Sequence, residues 1–320
     1  MRLLYLTSTR IGDAVLSTGL LSHLIESNPG IRVTVACGPA AAPLFEAVPG
    51  LDRILRITKS RFGGHWLALW RKVVLSRWDM VVDLRGSALS WLLATRRRIV
   101  FRGSAESIHR VAQLAEAARV SPPPSPRLWW TSRHEQEAER LVGAAGQFLA
   151  LGPTANWRGK EWPIERFIAL VERLTSPSGI LSGARIVVFG GPGEERAAAP
   201  LLAALSAERR IDLVGRIDLL TAFSCLKRAA LFVGNDSGLM HIAAASGCPT
   251  LGLFGPSKDR HYAPCGMKCA VVRTPESYDE LIGRPGYDHR TTGSLMTNLA
   301  VETVEAAAAA LWTKVQKAVA

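Results

Sequence analysis

Long apolar runs are missing from this 320-residue chain. No stretch approaches the ~18–20 apolar residues that carry a helix across a bilayer. The opening segment, MRLLYLTSTRIGDAVL, does not read as a signal peptide, because its apolar run stops after about five residues, at Thr7–Arg10. The expectation is a soluble, cytoplasmic protein, with peripheral contact on the cytoplasmic face of the inner membrane left open. Cysteine is scarce. Cys37, Cys225, Cys248, Cys265 and Cys269 are odd in number and irregular in spacing, which excludes a disulfide framework. Cys265 and Cys269 have only His261 nearby and no second pair, so no metal site is assigned and the thiols read as incidental. The first strand-to-helix turn, Ser8-Thr9-Arg10-Ile11-Gly12-Asp13, lacks both G-x-G-x-x-G and G-x-x-x-x-G-K-[ST]. That argues against an ordinary dinucleotide fold and against a P-loop. Acid is missing between Asp52 and Asp79, where Arg53, Arg56, Lys59, Arg61, Arg71, Lys72 and Arg77 follow one another.

What is present is an ordinary globular composition, 48% hydrophobic and 21% charged. At roughly 150 residues per domain the length suggests two domains. The net charge of +12 is uneven. Residues 1–145 hold 20 Lys+Arg against 11 Asp+Glu, and residues 146–320 hold 19 against 16. An anionic partner is therefore expected on the first half: nucleic acid, a membrane surface, or an acidic substrate.

Short apolar runs alternate with helical patterns. Leu3–Leu6, Ile31–Ala36, Met80–Asp83 and Arg98–Phe101 read as strands, with helices over Ala14–Glu26 and Ser87–Thr95. SPPPSPR at 121–127 breaks the pattern as an extended connector, and a Glu- and Ala-rich helix over Ser132–Ala145 follows. The alternation restarts with strands at Phe148–Gly152, Arg185–Gly190, Ile211–Val214, Leu231–Gly234 and Thr250–Phe254. The intervening helices are Ile164–Leu174, Glu194–Leu205, Leu219–Lys227 and Gly238–Ala245, and Val301–Ala318 closes the chain. This is an α/β pattern of two doubly wound parallel sheets. The domains are expected at 1–145 and 146–320, facing a cleft, with the last helix packing back on the first domain. Such sheets bind ligands at the carboxyl ends of their strands.

Four constellations lie at those ends. Asp13 opens a helix and fits either an N-cap or a catalytic base. Gly234-Asn235-Asp236-Ser237-Gly238 precedes a helix carrying His241. Its N–H groups suit a diphosphate, with a capped turn and a core histidine as the alternative. The loop Gly152–Pro163 offers Thr154, Asn156, Arg158 and Lys160 to phosphate oxygens, or is a solvated basic loop. Glu194 and Glu195 follow a glycine-rich turn and suit ribose hydroxyls or a plain helix start. In the basic first half, Arg10, Arg61, Arg85, Arg96, Arg97 and Arg98 are the candidate contacts for an anionic acceptor.

Together these segments resemble glycosyltransferase family 9, the heptosyltransferases of lipopolysaccharide core assembly. The resemblance rests on IGDAVLSTGLL at 11–21, WDMVVDLRGSALSWLLATRRRIVFRG at 78–103, LGPTANWRGKEWPIERF at 151–167, VGNDSGLMHIAAASGCPTLGLFGPS at 233–257 and LMTNLAVETVEAA at 295–307. It implies two Rossmann-like domains in the glycosyltransferase B fold, an N-terminal acceptor domain and a C-terminal domain for ADP-heptose. It implies inverting, metal-independent transfer to a Kdo-bearing lipid A acceptor, with an ADP-sugar as substrate and no cofactor. It implies Asp13 as base, Lys160 on the donor phosphates, Asp236, Ser237, Gly238 and His241 in the donor loop, and Glu195 or Glu194 on the ribose. Residues 274–294 resemble no segment of the family. Another two-domain nucleotide-sugar transferase or an epimerase is the competing enzyme reading. A two-lobed binding protein and a nucleic-acid-binding protein compete from outside it. The first lacks a signal peptide and the second a recognition motif, so no nucleic-acid partner is expected.

Overall fold

The computed structural model describes residues 1–103, 108–143 and 148–319. It divides into two compact units, Met1–Thr131 and Ser132–Ala320. The expected boundary at 145/146 lies outside the described residues, and the observed division comes earlier. Its cause is the helix after the proline connector, which joins the second unit. There Glu135 pairs with Lys227 at 2.6 Å and Arg228 at 3.2 Å.

The first unit runs β1 (Arg2–Leu6), α1 (Ile11–Glu26), β2 (Arg32–Cys37), β3 (Leu51–Arg56), α2 (Gly64–Val73), β4 (Trp78–Asp83), β5 (Thr95–Val100) and α3 (Arg110–Ala118). Its five parallel strands lie in the order β3-β2-β1-β4-β5. The second unit runs α4 (Ser132–Val142), β6 (Phe148–Gly152), α5 (Ile164–Thr175), β7 (Arg185–Val188), α6 (Glu195–Ala204), β8 (Arg210–Asp212), α7 (Leu219–Leu226) and β9 (Leu231–Asn235). It continues with α8 (Gly238–Ala245), β10 (Thr250–Phe254), α9 (Asp259–Tyr262), β11 (Cys269–Arg273), α10 (Tyr278–Ile282) and α11 (Val301–Val319). Its six parallel strands lie in the order β11-β10-β9-β6-β7-β8. Both sheets are doubly wound, as the alternation of runs predicts.

Central strands are apolar on both faces because helices cover both. Leu3, Leu4, Tyr5 and Leu6 of β1 are fully buried, as are Phe148–Leu151 of β6. Edge strands need no such run. β3, LDRILR, and β5, TRRRIV, turn their bases to solvent, which hides β3 from a reading by apolar runs and shifts the start of β5. The helix expected over Ser87–Thr95 is only a short turn at Ala88–Leu92. Asp83 binds the Ser87 N–H at 2.9 Å, and Arg98 binds the carbonyls of Ser90 and Leu93. The last helix, α11, packs within the second unit, its Val304, Ala308, Leu311 and Val315 joining the core built on Leu149, Leu151 and Val233. Among the described residues no helix is long and apolar enough to cross a membrane.

Candidate functional site

In the second sheet the chain winds one way from β6 through β7 to β8 and the other way from β9 through β10 to β11. Ligands of doubly wound sheets bind outside the carboxyl ends of the two strands where the order reverses, here β6 and β9. Gly152 ends β6 in register with Gly234 of β9. A Cβ on Gly234 would stand 2.8 Å from the Gly152 carbonyl and 2.7 Å from the Phe232 ring, so only glycine fits there.

Asn235 is fully buried and ties the loop after β6 to this end. Its Oδ1 accepts the Trp162 N–H at 3.1 Å, and its Nδ2 donates to the Pro153 carbonyl at 2.7 Å. That stitching brings the Lys160 ammonium onto the Asp236 carboxylate. Asp236 is buried, and Lys160 is partly exposed. Ser237 caps α8, accepting the Met240 N–H at 3.5 Å, so the first-turn N–H groups of α8 begin two residues after Asp236. His241 is buried in α8, and Gly238 is its first residue. The result is a cation and a helix N-terminus side by side, an arrangement suited to a diphosphate.

The remaining donor candidates divide. Glu194 accepts from the Thr154 hydroxyl at 2.6 Å and the Gly191 N–H at 2.7 Å, so it joins the loop after β6 to the turn after β7. Glu195 is exposed, and its carboxylate rests against Gly215. Asn156 and Arg158 are exposed on the loop. Three further features belong to the loops of this unit. Glu161 accepts the Ala155 N–H at 3.2 Å, and burial, helped by the nearby Glu194 charge, holds its carboxyl above the usual range. Ser257, after β10, is buried with no hydrogen-bond partner for its hydroxyl among the described residues. Residues 274–294 lie against the Lys160 loop. His289 stacks on Trp157 with ring centroids 4.6 Å apart, Tyr287 meets it edge-on, and Ser294 donates to the Glu161 carbonyl at 2.5 Å.

In the first sheet the order reverses between β1 and β4. After β1, Arg10 takes the N-cap position of α1, and Asp13 sits in the first turn. The N-cap reading of Asp13 is therefore replaced. Its Oδ2 accepts from the Ser8 hydroxyl at 3.5 Å, and its Oδ1, which has no hydrogen bond, is 3.7 Å from Arg110 Nε. Arg110 was not among the sequence candidates. After β4, the buried Asp83 holds the turn through Arg85 N–H, Ser87 N–H and the Ser87 hydroxyl. Arg85 lies over the Trp66 ring at 4.7 Å, with one guanidinium nitrogen buried and lacking a hydrogen bond. Arg10 and Arg61 are exposed.

The arginine triplet is not brought to this end. Arg96 to Arg98 lie in β5, where alternate side chains face opposite ways. Arg96 stands level with the start of β4 and pairs loosely with Asp79 at 3.8 Å, toward the amino end of the sheet. Arg97 is exposed, and Arg98 binds backbone carbonyls. They form no common acceptor patch with Asp13 and Arg85.

Among the described residues no group of three or more His, Cys, Asp and Glu side chains has the arrangement of a metal site. Burial pushes the Cys37, Cys225 and Cys269 thiols up to about 12, in keeping with incidental thiols.

The model of glycosyltransferase family 9 (heptosyltransferase) matches residues 96–281, which include the Lys160 loop and the Asp236 turn but not Asp13. The chain is 25% identical over 314 residues to the lipooligosaccharide heptosyltransferase 2 of Haemophilus influenzae, covering 86% of this chain and 89% of the relative. Its fold is that of a family 9 glycosyl transferase from Veillonella parvula, with a TM-score of 0.78 and 20% identity over 98% of this chain and 97% of the other. The E. coli ADP-heptose lps heptosyltransferase II is similar at a TM-score of 0.75 and 20% identity, over 99% and 100% of the two chains. The fold is the glycosyltransferase B fold that the sequence resemblance implies. With the family model matched over more than half of the chain, including both loops that build the β6–β9 site, this protein is a glycosyltransferase and belongs to glycosyltransferase family 9, the heptosyltransferases.

Proposed function

We propose that the chain moves a heptose from an ADP-heptose donor to a lipopolysaccharide core acceptor, of the Kdo-bearing lipid A kind, by one inverting displacement without a metal or cofactor. The observation that carries this reading is the Lys160–Asp236 pair beside the N-terminus of α8 at the β6–β9 switch point. The names of the relatives, lipooligosaccharide heptosyltransferase and ADP-heptose lps heptosyltransferase, support the choice of sugar, nucleotide and acceptor.

An acceptor hydroxyl attacks the anomeric carbon, and the bond to the diphosphate oxygen breaks. Asp13 takes the hydroxyl proton as the new bond forms. Charge grows on the leaving ADP, where the Lys160 ammonium, the first N–H groups of α8 and the Ser237 hydroxyl meet it. Asp236 holds Lys160 in place before the donor arrives. Glu194, fixed by Thr154 and Gly191, accepts from a ribose hydroxyl through its second oxygen. His241 borders the same turn. On the first unit, Arg85 and Arg110, with Arg10 and Arg61, attract the anionic acceptor.

A screen of ADP-, UDP- and GDP-sugars by thermal shift and turnover tests the donor assignment. Stabilisation and turnover by ADP-heptose are expected. Stabilisation by UDP but not ADP overturns the assignment.

A further inference from the structure

The outer layer of the first unit carries a feature that donor and acceptor chemistry leave unused. The inner side chains of α2, Leu69 and Val73, are buried against the sheet with Trp66 and Trp70. Its outer stripe follows the helical spacing through Leu67, Ala68, Arg71 and Lys72 and continues to Leu75. Leu75 is 96% exposed and Leu67 50%. Just before the helix, Phe62 is 99% exposed, held out by a left-handed backbone with φ 54°. Single exposed apolar residues are ordinary. Three large ones on one short segment, two of them almost wholly in water, are not.

The layer continues next door. The turn Ala88–Leu92 shares the α2 core through Leu89, and its Trp91 and Leu92 are 54% and 64% exposed. Arg98 and Arg102 lie over the Trp91 ring at 4.9 Å and 5.3 Å. The segment that carries α2 has charge of one sign, since seven bases and no acid lie between Asp52 and Asp79.

We propose that this layer docks the enzyme on an anionic phospholipid surface, with Phe62, Leu67 and Leu75 entering the interface and Lys59, Arg71 and Lys72 contacting lipid phosphates. Apolar and aromatic groups flanked by Lys and Arg on a short amphipathic helix are what an interfacial segment requires. Charge complementarity selects the membrane as occupant, because each base near an anionic leaflet strengthens binding about fivefold. The inference extends the glycolipid-acceptor reading and fails separately from it, since its test uses vesicles that contain no acceptor.

The test is co-sedimentation of the full chain with two kinds of vesicle. One is phosphatidylcholine alone, and the other is equal parts phosphatidylcholine and phosphatidylglycerol. Binding to the second and not the first is expected. Phe62→Ser with Leu75→Ser should weaken it by about tenfold, and separately Arg71→Gln with Lys72→Gln by about twenty-five-fold. Both pairs should keep the wild-type turnover on a detergent-free, delipidated acceptor, which also shows that they fold. Equal binding to both vesicles, no binding to either, or unchanged binding by both variant pairs overturns the proposal.

Discussion

The Lys160–Asp236 contact couples the stability of the second unit to the proposed donor site. The ion pair is mostly buried, with side-chain exposures of 23% and 6%. Removing the cation strands a buried carboxylate, which costs on the order of 3 kcal/mol. Lys160→Met should therefore lower the free energy of urea unfolding by about that much, and adding Asp236→Asn should recover most of it. ADP affinity should fall in the single variant and stay low in the double. Recovery of ADP affinity in the double variant would separate Lys160 from the donor. Glu161 adds a pH signature. Burial raises its carboxyl, so the folded state binds its proton more tightly than the unfolded chain. Its contribution to stability is present below the ordinary glutamate range and is lost as pH rises through the raised value. Glu161→Gln keeps an acceptor for the Ala155 N–H and removes that loss. The variant should melt higher than the wild type at neutral pH, and the difference should vanish in acid. Asp13, Lys160 and Asp236 were legible in the sequence because polar residues crowd turns between an apolar strand and a helix. Glu161 and Arg110 were not, because their burial and partners come from segments distant in the chain.

Elements position these residues through close backbone approach. Gly152 and Gly234 face each other at the carboxyl ends of β6 and β9, where the loop carrying Lys160 and the turn carrying Asp236 begin. Gly234→Ala should destabilise the chain by about 1–3 kcal/mol and weaken ADP binding together, because the added methyl pushes the two strand ends apart. Calorimetric melting with and without ADP checks both. The central strands and most helices could be read directly, since burial on both faces demands continuous apolar runs. The edge strand β3 was hidden by its solvent-facing arginines, and the apparent helix after Ser87 gave way to a turn held by Asp83 and Arg98. Residues 274–294 resembled no family segment by eye, although the family model extends to residue 281, and their His289 and Tyr287 pack on Trp157 in the Lys160 loop. Only the fold makes that adjacency visible.

Across the whole molecule the charge asymmetry sharpens once the units are known. Residues 1–131 hold 18 Lys+Arg against 8 Asp+Glu, and residues 132–320 hold 21 against 19. Bulk positive charge thus belongs to the unit with Asp13, while the proposed nucleotide cradle is built from local groups on the nearly balanced unit. Position within the sheet then decides which arginines matter. Arg85→Gln should raise the acceptor KM several-fold and leave the donor KM unchanged. Arg96→Gln, toward the amino end of the sheet beside Asp79, should change neither. An equal effect of both in steady-state kinetics would mean that diffuse charge alone recruits the acceptor. The account rests above all on a division of labour, with proton removal by the first unit and nucleotide binding by the second. Asp13→Ala probes it directly when turnover and ADP affinity are measured on one preparation. Transfer should fall by about a hundredfold to ten-thousandfold with ADP affinity unchanged, and a parallel loss of both would contradict it.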